Sequence, residues 1–549
     1  MAIGVSAKRW LDKVRKGLML RRMDYVLEER GGEIIALDKN QNVVTIEDSL
    51  HKVFEMFEEY KRIYMPMADY YTSRTVVIKK GMKIFGDGVN RTRVLPSREN
   101  IYLFYAYDEP EDIIVKGIDF LGENKAFVNL FINEGARNIK VEKCGFSYAK
   151  FTNVQIGNAV KAREEQAPTS EHIIFRENVV KGYNGSFDNQ CLFVATKDTI
   201  IEKNKFMNNE NTNALAIYMY HDGVRVKDNY FSNNGKGMYI QSSRNVIVER
   251  NIFDETHRLY SGRFMTLYNI ENVYVERNIF KMKWGSDGIA IHLVDWNVDL
   301  VDGTNPVWID DTKNVFIREN VFDSMTHAIV WGNQDAYTKF KHDGIYIEKN
   351  IFRTLRHPIF LNLASYMSDA QIGVGEIYIR ENIIEPGDWF GDFGAITIRA
   401  PDGKAYWIKK VVVENNKINP SRVWMDVSNA IDIHNVEFAI IRNNDVTGAG
   451  INAPAIEVVN VDKVIMEKNI GYETEAEGIA EFVGDGATTQ FKIEHGLPVE
   501  PTKYFVIPLT GSAFGFSSVD KDENHIYVNF DTAPASGATL KYYWYAKAY

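Results

Sequence analysis

One short motif recurs along most of this 549-residue chain and constrains its fold more than any other feature. The motif is an alternating apolar strand that ends in Asn and continues with apolar residues, as in segments 246–253, 273–280, 315–322 and 345–352. Looser copies extend it into a series of asparagines at steps of 22 to 42 residues: Asn178, Asn204, Asn229, Asn251, Asn278, Asn320, Asn350, Asn382, Asn416, Asn444 and Asn469. Cys144 and Ile118 stand at the equivalent point of two earlier copies. Copies made of two or three short strands without a helix predict a solenoid.

The repeat also indicates which solenoid the chain forms. Each copy begins with an alternating strand, which has one buried and one exposed face. The Asn is expected at a sharp corner because Asn tolerates left-handed backbone angles, and stacked asparagines can hydrogen-bond each other. The absence of a Leu-x-Leu pattern excludes leucine-rich repeats, and the single Asn corner per copy excludes a propeller. A parallel β-helix, with its coils stacked about 4.8 Å apart, is the remaining fold.

The segment that precedes the repeats carries a family resemblance. Residues 63–70, 76–81 and 84–88, with Thr92 and Val94, resemble the entry coil of the pectate-lyase-like right-handed β-helix superfamily. The short helix that precedes the first coil in that family fits Ser49 to Tyr60, whereas Ala68 departs from the usual Gly. The resemblance covers about residues 45–475 and implies an all-β fold, a right-handed parallel β-helix. It does not fix the chemistry, because this fold hosts lyases, hydrolases, epimerases and non-catalytic spikes.

Three domains are predicted. Residues 1–45 are expected to form an N-terminal helical attachment or capping segment, since apolar residues from about Lys8 to Arg30 follow helical spacing among basic ones. Residues 46–477 form the β-helix. Residues 478–549, in which the repeat stops and short strands alternate with Gly and Pro turns, are predicted to form a small β-sandwich that caps the solenoid or supports trimerisation.

This organisation is similar to that of bacteriophage tailspikes. The basic residues near the N-terminus leave no secretory signal, which is expected for a virion protein released by lysis. The resemblance implies a homotrimer in the virion tail that binds bacterial surface polysaccharide and contacts other virion proteins through its N-terminus. If the protein is not from a phage, the expected location is the cell surface or the extracellular space.

Composition limits the classes of partner that the protein is expected to bind. Asp and Glu total 74 against 64 Lys and Arg, a formal charge of -10, which argues against nucleic-acid binding. No apolar run is long enough to insert into a membrane, and two cysteines cannot form a disulfide scaffold. Segment 295–306 begins like a calcium loop, but Leu300 and Pro306 replace the Gly and Glu that an EF-hand requires. We therefore expect no cofactor and no metal site, with calcium bound in an acidic loop as the one alternative left open.

The second strand of each copy suggests a substrate-binding surface. Aligning these strands places alternate residues on the outer face. Tyr218 and Tyr239 then share one row, and Tyr220 and Tyr268 share the next, so the four tyrosines are expected to cluster. Aromatic rings stack on sugar rings, although such tyrosines can equally pack under loops or against another subunit. Trp296 and Trp331 lie in the same region and are further candidates for substrate contact.

Candidate catalytic residues lie in two copies that carry long insertions, between Asn278 and Asn350. Asp295 and Asp335 fall at the same aligned position of consecutive coils, at a separation that suits a pair of glycosidase carboxylates. Repulsion between them would raise one pKa, as a general acid requires. Two solvated loop acids are the alternative interpretation.

Two further groups of residues could take part in cleavage of the polymer. Arg263, Asp287, His327 and His357 are aligned just before the strand on four coils, where they could supply a proton acceptor or form a structural ladder. A uronate lyase would instead use His292 or Tyr268 as the base and Arg399 as the cation, but Arg399 is three coils from His292. The sequence thus favours hydrolysis of a bacterial surface polysaccharide, with a lyase or epimerase and a non-catalytic virion adhesin as the alternatives.

Overall fold

A computed structural model describes residues 22–158, 167–182, 191–208, 213–256, 262–283, 286–294, 312–331, 340–362, 372–386, 394–400, 402, 407–418, 429–449 and 454–549. The chain divides into two compact units. Unit 1 comprises Met1–Ile345 with Tyr366–Gln371, and unit 2 comprises Tyr346–Ser365 and Ile372–Tyr549. Among the described residues, no helix is long and apolar enough to span a membrane.

The N-terminal segment differs from the prediction. Residues 22–47 form three antiparallel strands, β1 (Tyr25–Arg30), β2 (Glu33–Asp38) and β3 (Val43–Glu47), so a helix that reaches Arg30 is wrong over this part. Gly31 and Gly32, both at positive φ, form the turn between the first two strands, a conformation that Gly adopts without strain. The rest of the predicted helix, residues 1–21, lies outside the described residues. Strand β1 also pairs in parallel with the first coil of the solenoid.

Helix α1 (Leu50–Glu55) precedes the first coil, as the family resemblance implied, but it is shorter than the predicted span from Ser49 to Tyr60. Leu50, Val53 and Phe54 are buried, and the ring of Phe54 lies 5.6 Å from that of Phe104. The helix therefore covers apolar side chains of the first coils.

Strands of the solenoid follow in chain order. Those of unit 1 are β4 (Arg62–Met65), β5 (Ala68–Thr72), β6 (Val76–Val77), β7 (Lys83–Gly86), β8 (Thr92–Pro96), β9 (Tyr102–Ala106), β10 (Ile114–Lys116), β11 (Asp119–Leu121), β12 (Val128–Ile132), β13 (Arg137–Glu142), β14 (Gly145–Ser147), β15 (Thr152–Ile156), β16 (Ser170–Arg176), β17 (Val179–Lys181), β18 (Cys191–Val194), β19 (Thr196–Lys197), β20 (Ile200–Glu202), β21 (Lys205–Met207), β22 (Asn213–Asp222), β23 (Arg225–Lys227), β24 (Tyr230–Ser232), β25 (Lys236–Glu249), β26 (Ile252–Glu255), β27 (Arg263–Glu276), β28 (Ile279–Met282), β29 (Ile289–Val294), β30 (Thr312–Arg318) and β31 (Val321–Trp331). Strand β32 (Phe340–Glu348) contains the boundary, and unit 2 continues with β33 (Ile351–Asn362), β34 (Ile372–Val374), β35 (Glu376–Arg380), β36 (Ile383–Pro386), β37 (Ile396–Arg399), β38 (Ile408–Glu414), β39 (Lys417–Ile418), β40 (Ile431–Arg442) and β41 (Ile456–Glu467).

Parallel pairing arranges the strands of unit 1 into three sheets. The first sheet holds the strands that precede each corner, in the order β4, β7, β10, β13, β16, β20 and β23, followed by the C-terminal parts of β25 and β27 and by β30. The second sheet holds the strands that follow the corner, from β5 to β31. The third sheet holds the second alternating strands, in the order β6, β9, β12, β15, β18, β22, β25, β27, β29 and β31. Unit 2 repeats this arrangement, with β37, β40 and β41 in its third sheet. The fold is thus a parallel β-helix, as predicted.

The asparagines form the expected ladder in each unit. In unit 1 the backbone N–H groups of Asn178, Asn204, Asn229, Asn251 and Asn278 each donate to the side-chain Oδ1 of the Asn one coil further on, at 2.9 Å. In unit 2 the same bonds connect Asn350, Asn382, Asn416, Asn444 and Asn469. The backbone N–H of Cys144 donates to Asn178 Oδ1, which confirms that Cys144 occupies the same point of its coil.

The reason for Asn at the corner is not the one expected from the sequence. At every corner of the ladder the left-handed residue precedes the Asn, as at Glu177, Arg250 and Lys468, where φ is 56°, 53° and 56°. Asn is required instead for its side-chain amide, which satisfies backbone groups that the corner leaves without partners.

Phenylalanines that follow the corners fill the interior of unit 1. Phe206, Phe231, Phe253, Phe280 and Phe322 are buried and stack with ring centroids 4.6 to 5.0 Å apart. This spacing matches the distance between neighbouring coils. The apolar residue two positions after each Asn therefore points inward, as the repeat predicted.

The C-terminal module of unit 2 is a small β-sandwich, as predicted. One antiparallel sheet contains β42 (Glu475–Val483), β44 (Lys503–Pro508) and β47 (Thr539–Lys547), and the other contains β43 (Gln490–Glu494), β45 (Ser518–Lys521) and β46 (His525–Asn529). A short 3₁₀ helix, Gly511–Gly515, lies between two of the strands. The sheets enclose a core that includes Phe491, Ile526 and Tyr542. On the first sheet Ile479, Phe505 and Ile507 are exposed by 62%, 45% and 48%, which leaves an apolar patch on its outer face among charged residues such as Glu477 and Glu481.

Candidate functional site

Three tyrosines line a cleft on the third sheet of unit 1. Tyr218, Tyr239 and Tyr268 lie on the successive strands β22, β25 and β27, and all three side chains are half-buried. The ring of Tyr239 lies 6.3 Å from that of Tyr218 and 4.9 Å from that of Tyr268, with interplanar angles of 31° and 42°. The cleft has a volume of about 420 Å³ and is lined by Leu192, Asn213, Ala216, Tyr218, Lys236, Tyr239, Arg263, Thr266 and Tyr268.

Polar side chains stand at the start of the same strands. Asn213 and Lys236 are directly paired neighbours on β22 and β25. The Oδ1 atom of Asn213 is buried and accepts no hydrogen bond from the described part of the chain. Lys236 is exposed and forms no ion pair with the residues that the structure describes. Arg263 lines the cleft from the start of β27. An acceptor and two cations thus adjoin an aromatic surface, which suits a ligand with both apolar faces and hydroxyl or carboxylate groups.

The tyrosines meet in a register that differs from the predicted one. Ala216 rather than Tyr218 pairs with Tyr239, and Tyr218 shares its row with Gln241 and Tyr268. A displacement of two residues keeps the alternation of inward and outward side chains, so the apolar pattern alone cannot detect it.

Tyr220 does not join the cleft. Its side chain is only 2% exposed and packs with Val194, Ala195 and Met219, so the expectation that it faces outward is wrong. Met219 and Tyr220 both have positive φ, of 61° and 54°, which breaks the alternation of β22 at this point.

His221, the next residue, is completely buried beside this irregularity. Its Nε2 atom donates to the carbonyl of Phe193 at 2.9 Å, and its Nδ1 atom lies 2.9 Å from Thr196 Oγ1. Burial lowers the pKa of His221 to about 3, so the ring is neutral at pH 7. The neutral ring anchors the end of β22 to the preceding coil.

Only some of the predicted catalytic and substrate-contacting residues lie in the described part of the chain. Asp295, Asp335 and Trp296 lie outside the described residues. The alignment that made the two aspartates equivalent requires an offset of 40 residues (335 − 295), whereas the structure pairs Leu293 with Trp331, an offset of 38 (331 − 293). Both aspartates still follow directly paired strands, β29 and β31.

His292 and Trp331 are less accessible than predicted. His292 is 4% exposed and pairs with Thr266, in the row of Tyr239, while Tyr268 pairs with Val294. Trp331 is 2% exposed and is among the largest fully buried side chains of the described chain. Its ring therefore offers little surface to a sugar, contrary to the expectation that it contacts substrate.

The predicted row of Arg263, Asp287, His327 and His357 does not form in unit 1. Arg263 and His327 share a register position, but Ile289 lies between them. Asp287 is exposed and precedes that position by two residues.

Arg399 lies on β37 in unit 2, where it is paired with His434. Its Nε atom donates to Asp432 Oδ2 at 2.7 Å. Asp432 is completely buried, and its other oxygen lies 2.7 Å from His434 Nε2. The sequence analysis assigned no role to Asp432 and His434. It had not included Asn213 and Lys236, because both precede the aligned strand positions.

Comparison with known proteins agrees with this architecture. Residues 48–262 match the family model described as rhamnogalacturonase A/epimerase, pectate lyase-like. The family resemblance deduced from the entry coil is thereby confirmed for the fold. No curated protein matches the sequence at a significant level.

Solved structures that resemble this chain include the tailspike protein of Escherichia coli bacteriophage HK620 in complex with a pentasaccharide. That structure has a TM-score of 0.57 and 10% sequence identity, and the alignment covers 93% of this chain and 92% of the tailspike. A double mutant of the same tailspike, with an aspartate and a glutamate replaced by alanine and a pentasaccharide bound, gives a TM-score of 0.55 at 10% identity over 88% and 86% of the two chains. At this identity the similarity concerns the fold.

Proposed function

We propose that this protein is a phage tailspike-like protein that binds a bacterial surface polysaccharide in the tyrosine cleft and depolymerises it. The cleft carries the proposal, because three half-buried tyrosines on successive coils line it, with ring centroids 6.3 and 4.9 Å apart. A sugar ring buries its apolar face against such rings while its hydroxyl groups remain free to bond. The tailspike of phage HK620, which has the same fold, was solved with a bound pentasaccharide.

The cations favour a polymer that carries acidic sugars. Lys236 and Arg263 line the cleft of a protein whose net charge is -10, so they supply local attraction where the overall field repels an anion. Asn213, with its buried acceptor, adds a site for a hydroxyl donor. We therefore expect tighter binding to acidic than to neutral surface polysaccharides, and a steeper salt dependence for the acidic ones.

Binding can be tested by titrating the purified full chain with candidate capsular and lipopolysaccharide-derived polymers. Tyr239→Ala and Tyr268→Ala should each weaken binding about tenfold, which corresponds to about 1.4 kcal/mol. Tyr274→Ala is the matched control, because Tyr274 lies on the same strand as Tyr268 but in the first sheet, outside the cleft. Equal affinity in all three variants would rule out the cleft as the binding site.

We propose that Asp295 and Asp335, which follow the paired strands β29 and β31, catalyse hydrolysis of the glycosidic bond. One carboxyl would act as the acid and the other as the nucleophile or base, according to their separation. Asp295→Asn and Asp335→Asn should abolish cleavage and leave binding intact. Full activity in both variants would eliminate the pair.

The reaction products distinguish a hydrolase from a lyase and from a non-catalytic adhesin. New reducing ends without ultraviolet absorbance would support a hydrolase, whereas an unsaturated, absorbing product would support a lyase. Binding without any product would support a non-catalytic adhesin. Mass spectra of the products would also identify the bond that is cleaved.

Assembly as a homotrimer is proposed through the C-terminal module. Ile479, Tyr543 and Ile507 stand side by side across β42, β47 and β44, and Phe505 stacks on Tyr545 with ring centroids 5.3 Å apart. An outward apolar face of this kind is typical of an interface with another chain. Attachment to other virion proteins through the N-terminus, and a location in the virion tail, are further parts of the proposal.

A further inference from the structure

A compact polar cluster lies on the third sheet of unit 2, separate from the tyrosine cleft. Asp432 and His434 alternate on β40, and both point away from the apolar interior that Ile431 and Ile433 enter. Glu457 on β41 is the direct neighbour of Asp432, and Arg399 on β37 is the direct neighbour of His434. Three neighbouring coils thus bring two carboxylates, one imidazole and one guanidinium together.

Donor atoms in this cluster converge. One oxygen of Asp432, one oxygen of Glu457 and one ring nitrogen of His434 all lie within 4.8 Å of one another. His434 Nε2 lies 2.7 Å from Asp432 Oδ1 and 3.9 Å from Glu457 Oε2. Asn429 Nδ2 donates to Glu457 Oε2 at 2.5 Å and thereby orients that carboxylate.

Two of these atoms lack hydrogen bonds although they are buried. Asp432 is 0% exposed, and its Oδ1 has no hydrogen-bond donor among the described residues. The same holds for His434 Nε2, because the two atoms face each other without the geometry of an N–H···O bond. A buried polar atom without a partner is costly, and a cation between the two would satisfy both.

We propose that Asp432, His434 and Glu457 bind a divalent transition-metal ion. One imidazole and two carboxylates form a donor set suited to Zn²⁺ or Mn²⁺, whereas Ca²⁺ prefers oxygen ligands alone. Arg399 holds the second oxygen of Asp432 and fixes the orientation of the carboxylate, as outer partners of metal ligands do. This departs from the sequence-based expectation that the chain has no metal site.

Metal binding can be tested on the full chain by calorimetric titration with ZnCl₂ and with MnCl₂, after treatment with a chelator that is then removed. We expect one saturable site per chain for at least one of the two ions. His434→Gln and Glu457→Gln should each weaken that site at least tenfold. His172→Gln is the matched control, because His172 is an exposed histidine 3.8 Å from Asp198 that lacks a second carboxylate neighbour among its salt bridges in the described chain.

The test has clear negative outcomes. Absence of saturable binding of both ions would overturn the proposal, as would equal affinity in the wild type and in His434→Gln. Binding of Ca²⁺ alone would also overturn it, since the imidazole would then have no part in the site. In each of these cases a direct contact between His434 and Asp432, 2.7 Å apart, would account for the cluster without a metal ion. Polysaccharide binding is measured separately, so neither result depends on the other.

Discussion

Replacement of Asn251 by alanine gives the sharpest test of the ladder that holds the coils together. Asn251 is completely buried, and its side chain takes part in four hydrogen bonds at 2.9 to 3.0 Å. Oδ1 accepts from the backbone N–H and the side-chain Nδ2 of Asn229, while Nδ2 donates to Val226 O and to Asn278 Oδ1. Asn251→Ala removes all four bonds in the middle of unit 1.

The expected loss of stability follows from the groups that are left behind. The backbone N–H of Asn229 becomes a buried donor without this partner, at a cost of about 2 kcal/mol. Val226 O and the Nδ2 of Asn229 each lose one of their partners, at about 1 kcal/mol apiece. Asn278 Oδ1 keeps the backbone N–H of residue 251. The total is about 4 kcal/mol, a large fraction of the stability of an ordinary domain.

Denaturant unfolding followed by circular dichroism measures this loss as a lower midpoint. If unfolding is irreversible, the same loss is measured as a faster unfolding rate. Asn40→Ala is the control, since Asn40 is exposed and its side-chain amide forms no hydrogen bond with the described chain; we expect a change within about 0.5 kcal/mol. A loss of unfolding free energy below about 1 kcal/mol in Asn251→Ala would refute the argument that the amide ladder stabilises the corners.

Three further predictions concern other parts of the chain. Cys144→Asn should leave stability unchanged or raise it by about 1 kcal/mol, because the new amide can donate to Asn178 Oδ1, and a clear loss in a melting experiment would contradict this. The pKa of His221 is lowered to about 3 in the folded chain. The stability due to its neutral form is therefore present above about pH 6.5 and is lost as pH falls towards 3, by about 1.4 kcal/mol per pH unit. His221→Gln should remove that part of the pH dependence of stability. An unchanged slope of denaturation midpoint against pH in this variant would contradict the assignment of that dependence to His221. Ile479→Lys, and deletion of residues 478–549, should reduce the oligomer measured by light scattering, and an unchanged trimer in both would show that the module is not needed for assembly.

The fold was largely predictable because the repeat encodes it directly. The spacing of asparagines from Asn178 to Asn469 fixes the corners, and the alternation between corners fixes which side chains face inward. The N-terminal strands were missed because apolar residues at helical spacing, up to about Arg30, outweighed the Gly31-Gly32 turn, which predicts a hairpin when apolar runs flank it.

The site was less predictable, for a geometric reason. Tyr218, Tyr239 and Tyr268 were correctly grouped, because any alignment of their strands brings them to one surface. Their exact pairing was not, since sliding one strand by two residues along the next preserves the apolar alternation of both strands. Lys236 was missed because it lies before the strand positions that the repeat makes comparable.

The freedom of one strand to slide by two residues along the next has an evolutionary consequence. Gaining or losing two residues in a connecting segment can place Tyr218 rather than Ala216 opposite Tyr239, while every inward side chain still enters the core. New combinations of surface groups can therefore arise without any change to the interior. A lineage that must follow changes in its target can vary its recognition surface by such insertions and deletions while it conserves the scaffold.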